Sequence, residues 1–168
     1  GAAIAVVEHP FPELQGDLAL GGRYAFGDGF RADYSRAAQG ITSIVEFVTR
    51  HLPVDAERVV VAGEGDGGAL VLWSALYGEW LPADYVALDP ADLGRLSMEG
   101  LPDLKPVARS LHLFAARVAK DRLDKVAADY TKIGTPTTVA PLTTTLAAEV
   151  RTRLGLPPAA PNAAAPIC

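Results

Sequence analysis

Short apolar runs alternate along the chain with longer segments whose apolar residues recur every three or four positions. The apolar runs lie at residues 3–7, 58–62, 85–88, 111–116 and 137–140, and the periodic segments lie at residues 37–52, 69–77, 123–133 and 146–154. This alternation predicts an α/β domain, because a strand, a helix and a second strand form a right-handed crossover between parallel strands. We therefore expect a three-layer α/β/α sandwich of about five mostly parallel strands.

Length and composition indicate one globular domain. The chain has 168 residues, of which 49% are hydrophobic and 21% charged, and these fractions exclude a wholly disordered chain. Residues 1–155 carry the alternating pattern and are predicted to form the domain. Residues 156–168 are rich in Pro and Ala, and we expect them to form an extended or docked tail.

Charge and cysteine usage exclude several classes of function. The formal net charge is −5 and the basic residues form no cluster, which argues against a nucleic-acid partner. No apolar run approaches the roughly 20 residues that span a bilayer, so no membrane span is expected. Cys168 is the only cysteine, which leaves no internal disulfide and no cysteine-based metal site. We expect no cofactor and no metal.

A cluster of glycines and acidic residues follows the second apolar run. Parallel α/β sheets bind their ligands at the carboxyl ends of the strands, so this cluster lies where a site is expected. Asp89 ends the third run and His9 follows the first run, at the same predicted edge. The candidate binding residues are Glu64, Gly65, Asp66, Gly67 and Asp89.

Residues 54–77, VDAERVVVAGEGDGGALVLWSALY, carry a family resemblance. The segment resembles the nucleophile elbow of the α/β-hydrolase superfamily, especially its esterase, depolymerase and prolyl-peptidase-like members. In that family an Asp-x-x-Arg lead-in, here Asp55 to Arg58, and an apolar strand run into Gly-x-Ser-x-Gly-Gly. The elbow needs small residues on both sides of its nucleophile, and Gly63 and Gly67 fill those places. The resemblance is good over residues 34–90 and weaker to about residue 155.

The resemblance also implies positions for the catalytic groups, and the chain departs from the pattern at these positions. Gly65 occupies the place of the nucleophile. The family's histidine follows the last strand, but no histidine occurs after His112. Asp121 is the candidate for the acid, which follows the preceding strand in the family. The loop at His9 is the nearest counterpart of the oxyanion loop, yet it lacks the family's His-Gly-Gly pattern.

These departures predict a hydrolase-like domain that has lost its catalytic triad. We expect it to act as a non-catalytic binding or scaffolding module. Its partner would be another protein or another domain of the same parent chain, which could be of secreted or periplasmic type.

Two alternative functions come from the same glycine cluster. Asp66 could act as a nonstandard nucleophile, although this register puts Glu64 where a small residue is needed. Gly63-x-Gly65-x-x-Gly68 also satisfies the dinucleotide-binding fingerprint, and Asp89 lies about where a ribose-binding acid is expected. The carboxylates of Glu64 and Asp66 have the wrong sign for a turn that receives a pyrophosphate.

Histidines and acids have a structural interpretation beside the chemical one. His9 could be a general base or a loop histidine bonded to backbone. His51 is expected at a helix end and His112 within the core. The carboxylates of Glu64, Asp66 and Asp89 could bind a hard cation, but they also suit the start of the following helix.

Overall fold

The computed structural model describes residues 30–77, 81–91, 93 and 108–158. These residues form four helices and four strands in alternating order. In chain order the elements are α1 (Phe30–His51), β1 (Val60–Glu64), α2 (Asp66–Tyr77), β2 (Asp84–Leu88), β3 (Ser110–Ala115), α3 (Lys120–Lys132), β4 (Thr137–Pro141) and α4 (Leu146–Arg153). No helix in this part of the chain is both long enough and apolar enough to cross a bilayer.

The four strands form one sheet in the order β1-β2-β3-β4, and every neighbouring pair is parallel. The prediction of an α/β fold with a parallel sheet is therefore confirmed. The predicted number of about five strands is wrong for the described residues, which form four. The fifth predicted strand, at residues 3–7, lies outside the described residues, as does the predicted loop around His9.

Strand β1 begins and ends two residues later than the sequence pattern predicts. The apolar run covers residues 58–62, whereas the strand covers Val60–Glu64. Its pairing with β2 continues through Gly63 and Glu64, which lie opposite Ala87 and Leu88. Backbone pairing with a parallel neighbour has overridden the poor strand propensity of glycine and glutamate.

One face of the sheet holds the larger core cluster. Tyr85, Leu111 and Leu113 project from the central strands and are almost fully buried. They pack with apolar residues of α2 and α3, including Leu72 and Leu123. Helix α1 packs on α2 through a second cluster, whose members are Ala37, Ala38, Ala69, Leu70 and Trp73.

The opposite face carries a smaller cluster and one short helix. Val86, Leu88 and Phe114 are buried there, and Leu146 at the start of α4 packs against them. Helix α4 contacts β1 and β2. The Arg151 side chain of this helix donates two hydrogen bonds to the carbonyl of Pro157, at 2.9 and 2.6 Å. These bonds tie the first residues of the tail to the helix.

Candidate active-site corner

The turn between β1 and α2 consists of a single residue, Gly65. Its φ of +56° lies in the left-handed region, where residues with a Cβ are strained. Helix α2 begins at Asp66, three residues before the periodicity predicts, because low-propensity glycines obscure its first turn. The chain therefore passes from strand to helix through one sharp corner, and Gly65 is its apex.

Backbone hydrogen bonds hold this corner against the next strand. The amide of Gly65 donates to the carbonyl of Leu88 at 3.0 Å. The carbonyl of Gly65 accepts hydrogen bonds from the amides of Ala69, at 3.0 Å, and Ala91, at 2.9 Å. Both polar groups of the apex are consequently satisfied by the protein itself.

Two glycines beside the apex lie in close backbone contacts. A Cβ placed on Gly63 would lie 2.4 Å from the carbonyl oxygen of Gly67, and one on Gly68 would lie 3.1 Å from the carbonyl oxygen of Leu88. Gly67 has open space around its Cβ position, as has Gly65. The space at the apex would thus admit a side chain, although the backbone there would be strained.

Asp89 is the most elaborately bonded acid at this edge of the sheet. Its side chain is only 3% exposed, and its φ of +41° is the one left-handed non-glycine conformation among the described residues. The carboxylate accepts hydrogen bonds at 2.8–3.0 Å from the backbone amides of Ala116, Arg117 and Val118. It therefore fastens the loop after β3 to the end of β2.

Arg117 extends this connection to the end of β1, where Glu64 lies. Its Nε lies 3.1 Å from Asp89 and its Nη2 lies 2.5 Å from Glu64. Burial alone would raise the pKa of Asp89, but the backbone amides and the guanidinium outweigh it and lower the pKa to about 2. The carboxylate of Asp89 thus stays ionised and has its bonding capacity filled by the protein.

The other two candidate acids, Asp66 and Asp121, each lie in the first turn of a helix. Asp66 is the first residue of α2, where a carboxylate is favourable to the helix dipole. Asp121 lies exposed in the first turn of α3, in a similar place on its own helix. The described residues contain no group of three or more His, Cys, Asp or Glu side chains placed to hold a metal ion.

The two described histidines lie away from the corner. His51 ends α1, where its Nδ1 lies 2.8 Å from the carbonyl of Phe47 and its ring stacks on the Phe47 ring. His112 is the third residue of β3 and is half-buried on the face that α4 partly covers. His9 lies outside the described residues.

His112 belongs to a polar cluster that the sequence analysis missed as a group. Its Nε2 lies 2.9 Å from the hydroxyl of Ser110, and its Nδ1 lies 2.9 Å from the hydroxyl of Thr138. The Ser110 hydroxyl also lies 2.6 Å from a carboxylate oxygen of Asp84. Ser110 and His112 are two apart in one strand and share a face, which is a visible signal. Asp84 of β2 and Thr138 of β4 join the cluster only through the strand register, which the sequence does not show.

Comparison of the chain with protein-family models, with curated proteins and with solved structures finds no match in any of the three. The functional argument therefore depends on the residues and the geometry of the corner.

Proposed function

We propose that the chain is a three-layer α/β/α domain of the α/β-hydrolase type that has lost its catalytic triad and serves as a non-catalytic binding or scaffolding module. The observation that carries this proposal is the residue at the apex of the strand-to-helix corner. That corner has the left-handed backbone and the small flanking residues that a displayed nucleophile needs, and Gly65 presents only hydrogen there.

The other two catalytic places support the same interpretation. The loop after β4, where the family's histidine is expected, reads Leu-Thr-Thr-Thr at residues 142–145 and offers no imidazole. Asp121, the candidate acid, is an exposed residue of a helix first turn. A hydroxyl nucleophile needs an adjacent base, and a base needs a group that orients it. The nucleophile and the base have no suitable side chain at their expected places among the described residues, so Asp121 has no histidine there to orient.

The edge of the sheet is better built for holding a partner than for chemistry. Asp89 and Arg117 tie the ends of β1, β2 and β3 into one unit, so the loops there have a fixed relative arrangement. The side chains of Arg117 and Glu64 remain 71% and 51% exposed while they are paired. A fixed surface with paired charges at its rim suits a protein partner or another domain of a longer chain.

The Asp66 alternative is disfavoured by the position of the corner. In an elbow the nucleophile is the left-handed residue between strand and helix. That residue is Gly65, whereas Asp66 already belongs to the helix. An attack by Asp66 would therefore start from a different backbone geometry.

The dinucleotide alternative is disfavoured by hydrogen bonding. The second glycine of that fingerprint lets the backbone approach the pyrophosphate, but the amide of Gly65 already donates to Leu88. Asp89 would bind the ribose, yet its carboxylate is engaged with the loop after β3. Both groups would have to exchange protein bonds for ligand bonds.

A hydrolysis assay tests the loss of catalysis. The purified chain is incubated with short-chain nitrophenyl esters and, separately, with a fluorophosphonate label read by mass spectrometry. We expect ester turnover no faster than in buffer and no labelled residue. Turnover that disappears in Asp66→Asn but persists in the matched variant Asp121→Asn would favour the nonstandard nucleophile.

Thermal stabilisation by millimolar NAD or FAD would favour the dinucleotide module, because a ligand at 100 times its Kd adds about 2.7 kcal/mol.

Site-specific crosslinking tests the binding role. A photoreactive amino acid replaces the exposed Asp121, just after the loop that Asp89 fastens, or Arg50 on the exposed end of α1 as the control. We expect one defined protein adduct, identified by mass spectrometry, from position 121 and none from position 50. Equal adducts from both positions, or none from either, would contradict a binding surface at this edge.

A further inference from the structure

The polar cluster on the face partly covered by α4 has a defined direction of hydrogen bonding. The carboxylate of Asp84 can only accept, so the Ser110 hydroxyl donates to it at 2.6 Å. Ser110 then accepts from the Nε2–H of His112, whose Nδ1 accepts from the Thr138 hydroxyl. The neutral imidazole therefore satisfies every member of the chain in a single tautomer.

Helix α4 contributes a charged pair to this face. The guanidinium of Arg153 lies 5.4 Å from the ring centroid of Phe114, and its Nη1 lies 2.8 Å from Glu149. The side chains of Arg153 and Glu149 are only 18% and 20% exposed, so the guanidinium is partly removed from water. A second positive charge nearby on the sheet would therefore be only weakly screened from the Arg153 guanidinium.

Few contacts hold α4 in place. It has eight residues, and none of its side chains is buried. Leu146 packs on the apolar cluster and Arg58 donates to the carbonyl of Leu154 at its end. A helix of this length is marginal in water by itself, so α4 depends on its docking contacts for stability.

We propose that α4 is a pH-released cover: protonation of His112 shifts α4 from its docked position over the sheet toward an undocked state. Acidification then exposes the apolar cluster of Val86, Leu88 and Phe114 on which Leu146 packs, and neutral pH covers it again. This role lies on the face opposite the α2 helix and does not depend on the proposed loss of catalysis.

The sign of the effect follows from the surroundings of His112. Burial is the largest cause that lowers its pKa, and the charge of Arg153 lowers it further, while Asp84 and Glu149 act in the opposite direction. Arg153 and Glu149 come from α4, Asp84 comes from β2, and β4 contributes the uncharged Thr138. Departure of α4 removes both Arg153 and Glu149, of which Arg153 has the larger effect on the His112 pKa, and it admits water. The undocked state therefore binds the proton more tightly. By linkage, acid favours that state.

Hydrogen exchange measured by mass spectrometry tests the proposal on the unmodified chain. Exchange of a peptide covering α4 is compared with one covering α3 between pH 7.5 and pH 5.0, after correction for the intrinsic rates. We expect protection of α4 to fall as the pH drops below about 6.5, while protection of α3 stays constant. Each unit by which docking lowers the His112 pKa multiplies the undocking constant about tenfold. Equal pH profiles for the two helices would overturn the proposal.

Variants separate His112 from other titrating groups. His112→Gln keeps a hydrogen-bonding side chain without a titratable ring, and we expect the protection of α4 to lose its pH dependence there. His51→Gln removes the exposed histidine at the end of α1 and should leave the profile of α4 unchanged. Loss of the pH dependence in His51→Gln, or its persistence in His112→Gln, would overturn the proposal.

The reciprocal measurement does not require the network to be altered. Leu146→Asp places a charge in the apolar contact of α4 and should undock it. We expect the pKa of His112, followed by its ring resonances in NMR, to rise in this variant toward the ordinary value for histidine. An unchanged His112 pKa with an undocked α4 would contradict the linkage.

Discussion

Alanine substitutions at three glycines of the β1–α2 corner should differ sharply in their effect on stability. Gly63→Ala puts a Cβ 2.4 Å from the carbonyl oxygen and 2.5 Å from the carbonyl carbon of Gly67. Both are backbone atoms of the first turn of α2, so the helix must move about 1 Å to restore a normal contact. Overpacking of this kind costs about 1–3 kcal/mol and occasionally more, and we expect the upper end, about 3 kcal/mol.

The other two substitutions provide matched controls. Gly65→Ala meets no steric obstacle but holds alanine at a φ of +56°, which costs about 1–2 kcal/mol, partly offset by the lower entropy of the unfolded chain. Gly67→Ala has open space at a helical position and should stabilise by about 0.5–1 kcal/mol.

Urea denaturation followed by circular dichroism measures all three free energies of unfolding. We expect the order of stability to be Gly67→Ala, the unchanged chain, Gly65→Ala and then Gly63→Ala. A loss of 3 kcal/mol corresponds to a Tm lower by about 6–12 °C in a domain of this size. If Gly63→Ala lay within 0.5 kcal/mol of the unchanged chain, the close contact between β1 and α2 would be refuted.

The remaining predictions concern the groups that fasten the fold. Asp89→Asn should lower the free energy of unfolding by about 2 kcal/mol at neutral pH, measured in urea, because the amide replaces a carboxylate that accepts three backbone amides and a guanidinium. The lowered Asp89 pKa stabilises the fold above the unfolded value of 3.8, and this stability is lost as the pH falls toward about 2. Acid titration of the unchanged chain should therefore show a decline of about 2 kcal/mol in this window that is absent in Asp89→Asn. Tyr130→Phe should cost about 1–2 kcal/mol in the same urea assay, because the Tyr130 hydroxyl donates to the buried carbonyl of Leu72 at 2.6 Å.

Most strand positions are readable from the sequence because polar turns bound the apolar runs. The observed β2, β3 and β4 lie within one residue of the predicted runs at residues 85–88, 111–116 and 137–140. The ends of α3 and α4 are equally clear, since Gly134 and Gly155 take left-handed conformations just after them. These boundaries depend on residues that are neighbours in the sequence, so the sequence alone predicts them.

The boundaries at the corner were predicted less well because pairing partners decide them. Gly63 and Glu64 belong to β1 only through their pairing with β2, and Asp66 begins α2 only because the corner is one residue long. The role of Asp89 was not predictable for the same reason. The amides that it binds are 27–29 residues further along the chain, and no local pattern indicates which loop a buried carboxylate will meet.

The packing of α2 on the sheet explains why the glycine pattern points to two families at once. Gly63 is required and Gly68 is closely packed because the backbone of α2 approaches β1 and the end of β2, whatever the site does. A hydrolase elbow and a dinucleotide turn both need such an approach, so these two glycines favour neither function. The apex distinguishes them, because a dinucleotide turn leaves its amides free for phosphate and an elbow displays a side chain. Gly65 does neither: its amide is bonded to Leu88 and its side chain is absent. A corner stabilised in this way persists without chemistry, as the proposed loss of catalysis requires.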